Sequence, residues 1–171
     1  MNLSEKNANV EENEKNFGDV SGEGYDSTKD ADAHRQVVIK VGYQIVQDLL
    51  TRIADHDLSK FQEPEKSCYD KYIPQLREAK YGSKEYYEIR EKMKKEGLDH
   101  HYQVNRHHPE HFENGIEGMT IVDLVEYFVD TYSASTKSDT PYSEGVKKNA
   151  STHKLPKELV QIFINTVDAY F

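Results

Sequence analysis

Apolar positions along this chain recur at helical spacing. His34, Val37, Val38, Val41 and Ile45 share one face, and Val46, Leu49, Ile53 and His56 continue the stripe. Residues 61–66 contain Pro64 and read as a loop. Residues 68–79 and 83–95 follow as two polar helices separated by Tyr81-Gly82, with Gly97 ending the second. Pro109, Gly115 and Gly118 hold the next stretch largely outside regular structure. Residues 119–134 form a helix with Ile121, Leu124, Val125, Phe128 and Tyr132 on its core side, and residues 135–154 read as a polar loop. A last helix starts at Pro156, a favoured first-turn position, and buries Leu159, Ile162, Phe163, Thr166 and Tyr170. There is no internal repeat and no alternating run rich in Val and Ile. The pattern predicts an all-α helical bundle.

Composition changes that picture at the N-terminus. The chain of 171 residues has the length of one domain, yet only 36% of it is hydrophobic and the mean hydropathy is −0.89. The deficit lies in residues 1–29, which read as a disordered acidic tail ahead of a folded domain at 30–171. Residues 1–32 hold nine acids against three lysines, two thirds of the formal net charge of −9. The remaining body has no basic stripe, so binding of duplex nucleic acid is disfavoured. A single cysteine, Cys68, excludes an internal disulfide and a four-cysteine zinc site. No apolar run approaches membrane-spanning length and no secretory signal is visible, which predicts a cytoplasmic protein without a membrane partner.

Chemistry concentrates in the histidines. Five of the eight, His100, His101, His107, His108 and His111, fall within twelve positions, and a His56-Asp57 pair lies upstream. Imidazole is the commonest protein ligand of transition metals. A divalent metal that activates water needs several neutral imidazoles and one or two carboxylates. His34, His56, Asp57 and a late carboxylate at Asp130 could provide that set, with His101, His107 and His108 as further ligands or substrate contacts. His34 and His56 stand roughly 33 Å apart on a straight helix at about 1.5 Å per residue. One ion reaches both only if the chain turns back, and Gly42 with Tyr43 is the expected place. Lys60, about one turn beyond Asp57, could offer its ammonium to a phosphate oxygen.

Each element also has a plainer reading. His34 alone on an apolar stripe is a core histidine, and by periodicity Asp123, Glu126 and Asp130 form a solvated acidic face. His111 and His153 read as structural or surface residues. Asn105 and Glu126 could orient ligands, whereas Arg106 could contact phosphate or pair with nearby acids.

The order His34, His56-Asp57-Leu58-Ser59-Lys60, Asp130 resembles the HD superfamily of metal-dependent phosphohydrolases. More closely, His56-Asp-Leu-Ser-Lys-Phe61, His101-Tyr-Gln-Val-Asn-Arg-His-His-Pro-Glu-His-Phe112 and Glu117-Gly-Met-Thr-Ile-Val-Asp-Leu-Val-Glu126 are similar to an uncharacterised HD-like family of bacteriophages and bacteria. The resemblance covers residues 28 to 168. It implies an HD-type helical fold and a divalent metal (Mn, Mg, Fe, Co or Zn) at His34, His56, Asp57 and Asp130. Two departures stand out. In related phosphodiesterases the additional histidines lie on separate helices, whereas His101 and His107 are six residues apart. After Asp130 the close family tends to carry Trp-Lys-Ala-Ala, where this chain has Thr131-Tyr132-Ser133-Ala134.

The leading expectation is a metal-dependent phosphohydrolase acting on a nucleotide or another small phosphate ester, with Asp57 and Lys60 as its catalytic residues. The alternatives are a di-iron oxygenase on the same fold, which Lys60 weighs against, and a non-catalytic scaffold that binds a nucleotide or a protein.

Overall fold

The computed structural model describes residues 25–80, 82–137 and 140–171, and these form helices and turns with no strand among them. The chain divides into two units, Met1–Asp48 and Leu49–Phe171. The described part of the first unit leads into helix α1 (Ser27–Ala54). Asp26 caps this helix, its Oδ1 accepting the Thr28 N–H at 3.1 Å and the Thr28 hydroxyl at 2.5 Å. The helix therefore starts before the predicted boundary at residue 30; residues 1–24 of the expected tail lie outside the described residues. The expected break at Gly42 does not form. A lone glycine in a helix costs only about 1 kcal/mol relative to alanine, and α1 runs through it unbroken. Nor does the stripe predicted for α1 bury any of its residues.

The second unit follows α1 with a 3₁₀ turn (Leu58–Phe61), α2 (Glu65–Glu78), α3 (Lys84–Met93), a π turn (Lys94–Leu98) and α4 (Asp99–Val104). Two further 3₁₀ turns (Pro109–His111 and Gly115–Gly118) lead to α5 (Ile121–Ser135), α6 (Tyr142–His153) and α7 (Lys157–Tyr170). Local signals set the boundaries. The Ser83 hydroxyl accepts the Tyr86 N–H at the start of α3, and Thr120 and Asp123 form a capping box at the start of α5. Two apolar clusters hold the unit together. Cys68 and Tyr72 of α2 pack with Ile89 and Met93 of α3. Tyr127 and Phe128 of α5 pack with Tyr142, Val146, Leu155, Val160 and Phe163.

Gly97 does not end a helix. It sits in the π turn, where a Cβ would stand 2.6 Å from the Cys68 Cβ, so glycine serves close approach to α2. The π turn feeds directly into α4, which places His100 and His101 on a helix. Residues 142–153 of the predicted polar loop are helical, burying Tyr142 and Val146 one turn apart. In α7, Val160 and Phe163 are buried, but Ile162 and Tyr170 are 57% and 78% exposed. The apolar stripe of α7 is thus narrower than its sequence predicts. No helix among the described residues is long and apolar enough to cross a membrane.

Candidate metal centre

Asp57 adopts the left-handed conformation, at φ 58° and ψ 15°, where the chain leaves α1 and enters the first 3₁₀ turn. Successive side chains on a helix diverge by about 100°. The left-handed residue lets neighbours converge instead, and His56 Nε2 stands 3.4 Å from Asp57 Oδ2. Lys60 Nζ pairs with that same Oδ2 and lies 5.2 Å above the Tyr69 ring.

The six-residue spacing of His101 and His107 is no obstacle, because α4 ends at Val104 and the chain folds back. Ring centroids of His101 and His107 are 5.9 Å apart, and His101 Nε2 meets His108 Nε2 at 2.8 Å. Asn105 braces this return: its amide nitrogen donates to Ser59 Oγ at 2.8 Å and to the His101 carbonyl at 2.9 Å. Helix α5 brings Glu126 and Asp130 to the other side. Glu126 Oε1 lies 3.0 Å from Nδ1 of both His56 and His107, and Asp130 Oδ1 lies 3.5 Å from His56 Nε2.

Two groups of donor atoms result. Asp57, His101, His107 and His108 bring ligand atoms within 4.8 Å of one another, as do His56, His107 and Asp130. Either group could hold a metal ion. Asp57 turns Oδ1 toward the first and Oδ2 toward His56, and His107 is common to both. Within the first group, Asp57 Oδ1 is 3.4 Å from His101 Nε2 and 3.6 Å from His107 Nε2. Metal–ligand bonds of about 2.1 Å place neighbouring donors roughly 3.0–3.4 Å apart in octahedral or tetrahedral shells; the first separation falls at the edge of that range and the second lies just beyond it, so a small inward movement would bring all three atoms onto a common ion.

The fit is also chemical. Buried polar atoms are normally hydrogen-bonded, yet Asp57 Oδ1 and His107 Nε2 are buried with no hydrogen-bond partner among the described residues. A carboxylate only accepts, so the Nδ1 atoms facing Glu126 carry the hydrogens. With Nδ1 turned to Glu126, His56 and His107 turn Nε2 toward the centre, the atom a metal would take. Burial, followed by the charge of Lys60, lowers the His101 pKa against its hydrogen bond to Glu65. Burial, with His107 and His101 as further causes, lowers His108 to about 3. Both rings are accordingly neutral at pH 7. Without a metal, hydrogen bonds to Asp130, then Asp57 and Glu126, push His56 up to about 11 against burial. Among these carboxylates the protein therefore favours a positive charge. Burial raises the carboxyl groups of Asp57 and Glu126, but hydrogen bonds from His56 and Lys60 to the first, and from His107 and His56 to the second, hold both below the usual range.

The acidic face predicted for α5 is not solvated. Asp123 is 0% exposed and accepts from Arg52 at 2.6 Å and from Arg106 at two atoms, each 3.2 Å away. Arg52 Nη2 also reaches Glu126 Oε2 at 2.5 Å. Residues 23–169 match a family described as Family of unknown function (DUF5662). The chain belongs to this family. The span matched to DUF5662 includes every residue of the centre described above. No curated protein and no solved structure matches the chain.

His56, Asp57, Lys60, His101, Asn105, His107, His108, Glu126 and Asp130 thus come together, whereas His34 belongs to neither donor group. It lies on α1 within the first unit, and the reversal at Gly42 on which its role depended is absent. His111 Nδ1 faces the Tyr102 carbonyl at 3.2 Å, and His153 lies 3.8 Å from Glu110, both outside the centre. Arg52 and Glu65 were not legible as site residues. Arg52 reads as an exposed helix cation, and Glu65 sits in a polar run, Glu-Pro-Glu-Lys.

Proposed function

We propose that this protein is a metal-dependent phosphohydrolase of HD type, acting on a nucleotide or another small phosphate ester. The observation that carries the reading is the pair of buried polar atoms without partners among the described residues, Asp57 Oδ1 and His107 Nε2, 3.6 Å apart beside the Nε2 atom of His101. His101, His107, His108 and Asp57, together with His56 and Asp130, would hold the metal. A bound divalent cation supplies Lewis-acid polarisation of a phosphoryl oxygen.

The remaining steps fall to this chain's own side chains. Glu126 orients His56 and His107, and Arg52 fixes Glu126 in turn. Asp57 and Asp130 are held ionised, so either is able to accept a proton from an attacking water at pH 7. The Lys60 ammonium is about a third exposed beside Asp57, in place to meet charge developing on a substrate phosphate.

The test loads metal-stripped protein with Mn, Mg, Fe, Co or Zn in turn. Bound metal is quantified, and each form is assayed on p-nitrophenyl phosphate esters and a nucleotide panel. Hydrolysis should follow metal content. Lys60→Ala should keep the metal and lose on the order of 10²-fold in rate, as for removal of one preorganised donor. Protein that binds metal but cleaves no ester would refute the hydrolase reading, and protein that binds none would refute the centre itself.

A further inference from the structure

Glu65 is a fully buried carboxylate beside the centre, at 0% exposure on the first turn of α2. Three side chains meet its two oxygens. Oε1 lies 2.8 Å from His100 Nδ1, while Oε2 lies 2.8 Å from His101 Nδ1 and accepts the Ser59 hydroxyl at 2.9 Å. Glu126 and Asp123 each have Arg52 as a counter-charge, but among the described residues no lysine or arginine pairs with Glu65, only the two imidazoles. A buried carboxylate without a cation is costly, and the cost falls when a hydrogen-bonded partner takes up positive charge.

The proton on His101 decides what that partner does. If Nδ1 carries the hydrogen, the ring donates to Glu65 and presents a lone pair at Nε2 toward Asp57 and His108. If Nε2 carries it, Nδ1 and Glu65 become two acceptors facing each other. Asn105 does not resolve that clash. Its amide nitrogen, 3.0 Å from His101 Nδ1, also has Ser59 Oγ and the His101 carbonyl within reach, and a hydrogen given to Nδ1 would still leave Glu65 Oε2 facing that nitrogen with nothing to accept from it.

We infer that Glu65 is a positioning residue for the metal centre: through one acceptor oxygen it fixes His101 as the Nδ1–H tautomer and raises the basicity of the Nε2 that would bind the ion. The inference rests on the proposed metal centre for its purpose but not for its geometry. Ser59, inside the His56-Asp57-Leu58-Ser59-Lys60 motif, locks the carboxylate in place. One motif thereby supplies a ligand, a phosphate contact and a brace for a ligand on another helix.

Two measurements test it. Long-range ¹H–¹⁵N correlation spectra of metal-free, full-length protein at pH 7 report which nitrogen of His101 is protonated. The expected form is Nδ1–H, and an Nε2–H tautomer would overturn the inference without any variant. Calorimetric titration with Mn²⁺ or Zn²⁺ then compares Glu65→Leu with Glu65→Gln. The leucine variant should bind 10- to 100-fold more weakly, the usual effect of losing such a partner. Glutamine can still turn its carbonyl oxygen to His101 and Ser59, and should recover most of the affinity. Equal affinity in all three proteins would also overturn the inference, as would an equal loss in both variants, which would place the effect in charge. Failure of the wild type to bind metal would defeat the proposed function instead, leaving the His101 tautomer to judge Glu65.

Discussion

Asp57 combines a ligand role with a backbone conformation that few residues tolerate. Asparagine, like aspartate, visits the left-handed region, whereas alanine is disfavoured there. Asp57→Asn should therefore abolish stoichiometric metal binding while keeping the turn. Asp57→Ala should lose the metal too and unfold at lower urea, by about 1 kcal/mol relative to the asparagine variant. His56 and His108 give the metal-free protein a pH signature. A histidine raised to about 11 contributes stability that is complete below its unfolded pKa near 6.5 and is lost as pH rises toward 11. One lowered to about 3 destabilises as pH falls below 6.5, because the unfolded chain takes up the proton first. Chelated wild type should melt progressively lower from pH 7 to 10, and His56→Gln should flatten that slope; an unchanged slope would remove His56 as its source. Residue type pointed to His56, Asp57 and the clustered histidines, and also to His34, which belongs to neither donor group, while only the family resemblance turned Asp130 away from solvent. Residue type could not reveal Glu65 or Asp123, because buried carboxylates and solvated ones look alike until the donors around them are known.

Among the elements, the π turn is the most exacting. A side chain at position 97 would collide with the Cys68 Cβ, which belongs to the backbone-fixed part of its residue and cannot rotate away. Gly97→Ala should thus destabilise by about 1–3 kcal/mol, the range for overpacking, and should disturb His101 because α4 follows the turn directly. Urea unfolding measures the first effect and metal titration the second. The helical periods of α5 and α7 were legible, but α6 was not. Its composition is rich in Ser, Lys, Asn and Gly, and the clue was the spacing of Tyr142, Val146 and Ala150, three residues each one turn apart. The predicted break at Gly42 failed for the opposite reason. A lone glycine with no proline or polar cluster beside it does not end a helix.

For the molecule as a whole, the centre draws side chains from the Leu58–Phe61 turn and its approach, from α4 and its loop, and from α5, the last of which also belongs to the second apolar cluster. Metal that binds only the folded state should stabilise it by mass action, about 2.7 kcal/mol at one hundred times its dissociation constant. Cys68, the only thiol and 2% exposed, reports on this. Its labelling by a thiol reagent should slow on metal addition and quicken with chelator; labelling indifferent to metal would mean that the α2–α3 cluster opens without breaking the centre. The all-α class was visible from the chain's period, whereas its division into two units was not, since the apolar stripe of α1 runs on past Asp48 without any change in pattern. The sequence distance between Asp57 and Asp130 has a kinetic meaning as well. Bringing them together closes a long loop, and such contacts are late to form because the entropy of closure precedes any gain from them. An ion held by the centre would be absent from the folding nucleus, so metal should leave the refolding rate nearly unchanged and act by retarding unfolding.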